Sequence, residues 1–128
     1  MSEPSSAHVI PPAIRAEDFI STYANALRFE PTVYDLKIIF GQTDVSQGNE
    51  RVEQRAAATI PWALAKLAIY FLEVNIRIHE AQHGKVHVPV NQIPAEPIPP
   101  ADEMKDNQAI RDAFKLVQQV HADFLASL

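Results

Sequence analysis

Hydrophobic and polar positions along this chain change period more than once. From Tyr23 to Glu30, Tyr23, Asn25, Leu27 and Phe29 alternate with Ala24, Ala26, Arg28 and Glu30. A period of two predicts a half-buried strand over 23–30. Glu30-Pro31-Thr32 interrupts it. Val33 to Phe40 then alternates again, with Tyr34, Leu36, Ile38 and Phe40 on one face and Asp35, Lys37 and Ile39 on the other. Two strands about a short proline break predict a hairpin. Gly41 to Asn49 is small and polar and reads as a loop. Over 51–59 a third strand is expected, with Val52, Gln54, Ala56, Ala58 and Ile60 sharing a face against Arg51, Glu53, Arg55, Ala57 and Thr59. Three strands with an apolar face can hold where two are marginal.

After Ile60 the period becomes helical. Pro61 suits a first helical turn, which needs no N–H from it. No breaker follows until Gly84, so a helix over 61–83 is expected, with Gly84 as its stop. Its charged residues are Lys66, Glu73, Arg77 and Glu80, seven, four and three apart. They form one narrow stripe. A helix covering a sheet needs an apolar arc of roughly 100°, and this one is apolar over much more. One side is expected on its own sheet and another on a partner, with Leu64, Phe71 and Ile78 as contact residues.

Val86, Val88 and Val90 alternate and suggest a short edge strand. Residues 91–101 are proline-rich and read as an extended linker. A final helix over 102–128, capped by Asp102, carries an apolar stripe that includes Phe114 and Phe124. The expected organisation is a flexible arm at 1–18, an α+β domain at 19–90, the linker, and the amphipathic helix. The fold class is α+β: an antiparallel meander of three to four strands, one long packed helix, and a C-terminal helix on a tether.

Composition narrows the function classes. The 128 residues fit one domain with tails. The part outside the proline-rich ends is about 70 residues, a size that is marginal alone and for which oligomerisation is a standard remedy. The net charge of −5 gives no global support for binding nucleic acid or an anionic membrane. There is no cysteine, which excludes disulfides and thiolate metal sites. The start of the chain lacks a signal-peptide pattern, and no apolar run reaches the roughly 18 residues of a membrane span. A cytoplasmic bacterial protein without a cofactor is the expectation.

Three constellations bear on chemistry. His79-Glu80-Ala81-Gln82-His83 reads as the His-Glu-x-x-His signature of zinc peptidases. Two histidines four apart share a helix face and can reach one metal, with Glu80 to activate water. A third ligand is missing at the usual spacing, since His87 lies just beyond Gly84. Arg77 and Lys85 place positive charge nearby. The bland reading is a helix end where histidine suits the dipole. A zinc-dependent hydrolase is therefore carried as an alternative only. Arg28, Lys37, Arg51 and Arg55 could form a basic sheet face for nucleic acid. Glu30, Asp35 and Glu53 share that face, so cross-strand ion pairs are expected instead. Trp62 is expected to pack, and Asp44 has no evident partner.

Tyr23-Ala24-Asn25, Tyr34-Asp35-Leu36, Phe40-Gly41-Gln42, Pro61, Ala65-Lys66-Leu67 and Glu80…Gly84 occur in an order that resembles the prokaryotic family called domain of unknown function 3467. The resemblance covers roughly 19–88. It implies strands followed by a proline-initiated helix, with no established activity and no catalytic residue. In that pattern the Glu80 and Gly84 positions occur without flanking histidines. Ile60 stands where a capping Ser or Thr is common, and the C-terminal helix lies outside the pattern. At the level of fold the plan also resembles SecB-type export chaperones. The expectation is an oligomeric protein-interaction module, chaperone-like, acting by binding and not by catalysis.

Overall fold

A computed structural model describes residues 10–45 and 48–128. The elements are strands β1 (Ala26–Pro31), β2 (Asp35–Asp44) and β3 (Arg51–Pro61), then helix α1 (Trp62–His83) and helix α2 (Gln108–Ser127). The fold class is α+β, as the change of period predicts. The chain divides into two units, one ending at Leu67 and the other running Ala68–Leu128, so the boundary falls inside α1. The first nine residues of the expected arm lie outside the described residues.

The sheet is an antiparallel meander in the order β1-β2-β3. Ladder rows Leu27–Phe40–Ala56 and Phe29–Ile38–Ala58 build one apolar face. Ile39, on the other face, is the buried hydrophobic side chain of the described residues, at 9% exposure. The first turn is organised by Thr32. Its hydroxyl accepts the N–H groups of Tyr34 and Asp35 and donates to Asp35 Oδ1 at 2.8 Å. Trp62, on the first turn of α1, donates its indole N–H to Thr32 O at 3.1 Å. The packing expected of Trp62 is thus incomplete, since the ring stays 44% exposed. Its role here is to tie the start of the helix to the hairpin turn.

Several boundaries differ from the sequence expectation, each for a local reason. β1 begins at Ala26 because Asn25 ends the ladder with its side chain. Its N–H donates to Gly41 O at 3.0 Å and its Oδ1 accepts Thr43 N–H at 2.9 Å. The stretch read as a loop from Gly41 is strand as far as Asp44, where Gln42, Thr43 and Asp44 pair with Glu53, Val52 and Arg51. Asp44 has a partner after all, an ion pair with Arg51 at 3.4 Å.

β3 does not keep one face. Phe40 pairs with Ala56 but Gly41 pairs with Gln54, so Arg55 is an extra residue at a bulge. A one-residue slip turns the side chains beyond it to the opposite face. Val52 and Gln54 therefore sit with Ile39 and Gly41, around one shallow depression, and not with Ala56, Ala58 and Ile60. Gly41 is buried there. A Cβ on it would lie 2.7 Å from Val52 Cγ1 and 3.0 Å from Glu53 O. The bulge and the glycine go together: strands drawn this close leave no room for a side chain.

Among the described residues no fourth strand forms. Val86–Pro89 is irregular, and Val90–Gln92 makes one 3-10 turn. Alternation over three valines cannot hold without a ladder partner. α2 starts at Gln108, not at 102. Asp102–Met104 is a separate 3-10 turn without a side-chain cap, and Asp102 pairs with Lys105 at 2.7 Å. The cap is Asn107, whose Oδ1 accepts Ile110 N–H at 3.2 Å. That places the first turn where the apolar stripe starts.

Candidate interaction surface

α1 forms because 22 residues of helix-compatible sequence run from Trp62 without glycine or proline. It ends at Gly84, whose φ of 89° only glycine adopts without strain. The Gly84 N–H donates to Glu80 O at 2.9 Å. The Glu80 carboxylate reaches forward and accepts Val86 N–H at 2.9 Å. Glu80 and Gly84, the pair brought forward by the family resemblance, therefore close the helix end together.

That bond bears on the zinc-peptidase signature. His79 and His83 share a face, their ring centroids 4.9 Å apart, as spacing requires. The carboxylate between them in sequence is engaged with backbone. Among the described residues no group of three or more His, Asp or Glu is placed to hold a metal ion. The sheet charges form ion pairs, Lys37–Glu30 at 3.9 Å, Arg51–Asp44 at 3.4 Å and Arg55–Glu53 at 3.6 Å. The first two join neighbouring strands across direct ladder partners.

The apolar circumference of α1 is the dominant surface. None of its residues is buried. Leu64, Phe71 and Ile78 stand 45%, 56% and 53% exposed. Leu67, Ile69, Leu72 and Ile76 are exposed to a similar degree. Fully burying such a side chain is worth about 1.5–3 kcal/mol. With roughly half of each still in water, the seven leave on the order of 5–10 kcal/mol unrealised. That rivals the whole stability of a domain, about 5–15 kcal/mol. No helix is long and apolar enough to cross a membrane among the described residues.

The other expected contact residues fare differently. Phe114 is half-buried, together with Ile110 and His121 on α2 and Ile93, Pro97 and Pro100 ahead of it. His121 Nε2 lies 2.9 Å from Pro94 O. The proline-rich segment is thus tied back to α2 at Pro94. Phe124 stays 36% exposed, and Leu116, Val117 and Val120 are more open still. Sequence reading missed the parts played by Asn25, Thr32 and Asn107. Their signal was present in type, since small polar side chains at element ends bond to backbone.

No protein-family model, curated protein or solved structure matches this chain. The likeness to domain of unknown function 3467 rests on the short motifs quoted above.

Proposed function

We propose that this chain is a protein-interaction module that assembles with copies of itself and presents apolar surface to protein partners, in the manner of a chaperone. One observation supports the reading above all: α1 carries large apolar side chains around most of its circumference and buries none of its residues. Exposed apolar surface on this scale marks a protein interface. The contact residues are Leu64, Phe71 and Ile78 of α1, with Phe114 and Phe124 of α2 contributing a second stripe.

The chaperone-like part has its own test. The full chain is added to a thermally unfolding reporter protein and aggregation is followed by light scatter. The chain is expected to slow aggregation, and Phe71→Asp is expected to lose most of that effect. Equal aggregation with and without the chain would remove the chaperone-like reading.

A further inference from the structure

His79 and His83 stand apart from the apolar surface of α1. Four residues apart, they lie about 40° from one another around the helix. Both side chains are exposed. Their ring centroids are 4.9 Å apart, with the planes inclined at 42°. Among the described residues neither ring makes a hydrogen bond or an ion pair. His121 differs, since its Nε2 sits 2.9 Å from Pro94 O.

The separation of the two rings is one that a shared metal ion sets. A metal–imidazole bond of about 2.0–2.1 Å puts the ring centroid about 3.2 Å from the metal. Two imidazoles in adjacent coordination positions subtend roughly 90–110° at the ion, so their centroids stand about 4.5–5.2 Å apart. The observed 4.9 Å falls inside that window with the helix left as it is. Rotation about the side-chain bonds alone then brings one nitrogen from each ring to the same ion.

The local charge permits a cation. The pair sits at the C-terminal end of α1, where the outward carbonyls favour positive charge. The Arg77 guanidinium is matched by Glu73, with Nη2 2.8 Å from Oε1. Lys85 is balanced in sign by Glu80.

The geometry points to His79 and His83 as a two-histidine site for a divalent first-row transition metal, with water in its remaining positions. Imidazole nitrogen suits Zn²⁺ and Cu²⁺, and Cu²⁺ binds such donors more tightly. With two protein ligands the ion exchanges readily and clamps the last turns of α1. The site binds and does not hydrolyse, because the Glu80 carboxylate is held by Val86 N–H at 2.9 Å and is not free to act as a base. It is independent of the proposed assembly.

Zn²⁺ titrated into the metal-free full chain tests this, followed by calorimetry and by the ring C–H resonances of the histidines. One ion per chain is expected, shifting the resonances of His79 and His83 and leaving that of His121 in place. Cu²⁺ is expected to displace it. Either His79→Ala or His83→Ala should weaken Zn²⁺ binding at least about tenfold, because the second imidazole acts at a high effective concentration. Combining Ala81→His with His83→Ala keeps two histidines but sets them two residues apart, where side chains do not face each other. That variant should bind as weakly as His83→Ala alone. The inference is overturned if the unaltered chain binds no Zn²⁺, or if the His79 and His83 resonances do not move. It is overturned equally if either single variant keeps the original affinity, or if Ala81→His restores it.

Discussion

The sheet and the helices of this chain solve the problem of specification in opposite ways. Each residue of β2 pairs with a residue of another strand, on one side or both. Its core is small, centred on Ile39 and Gly41, but its geometry is fixed by ladders, a bulge and side-chain bonds from Asn25 and Thr32. The helices hold themselves together locally, by their own backbone bonds and by pairs such as Arg77–Glu73 at 2.8 Å. Neither helix buries a residue. A helix satisfies its backbone alone, but it gains most of its stability from burying an apolar face. The sheet is thus specified within one chain, whereas α1 leaves its apolar side chains exposed.

That contrast can be broken from the sheet side. Ile39→Ala removes the buried side chain and is expected to cost about 2–4 kcal/mol, read from denaturant unfolding. A loss well under 1 kcal/mol would mean that the depression around Ile39 is not a core. Gly41→Ala is expected to cost about 1–3 kcal/mol, because its Cβ must displace Val52 or the β3 backbone. Amide exchange should speed up in β2 and β3 and stay unchanged in α2. On the helix side, Asn107→Ala removes a cap and is expected to cost about 1 kcal/mol. Glu73→Ala deletes an exposed ion pair and should cost no more than about 0.5 kcal/mol. An effect from Glu73→Ala as large as that from Ile39→Ala would show that the polar stripe is not solvated.

What was legible in the sequence follows the same division. Alternation gave three strands and helical spacing gave both helices, because each period is a direct consequence of backbone geometry. The bulge was hidden, because Arg51 to Ile60 alternates without a break in letters while Arg55 slips the register in space. Asp102 is the cap the sequence suggests, but the cap in the fold is Asn107, whose Oδ1 accepts Ile110 N–H. Glu80 drew notice as part of a metal signature, whereas in the fold it closes a helix end with Gly84. A lone carboxylate looks the same in both roles until its partners are known. The exposed face of α1 was the most legible feature, since four charged positions in one stripe leave the rest of the circumference apolar whatever the tertiary structure.

The mass of the chain in solution tests that face most directly. Light scattering coupled to size exclusion, at micromolar concentration, should give a mass that is an integer multiple, two or more, of 14.3 kDa. Phe71→Asp should lower that mass. A value of 14.3 kDa, unchanged by dilution and accompanied by cooperative unfolding, would contradict the account, because it would mean that the apolar surface of α1 needs no partner.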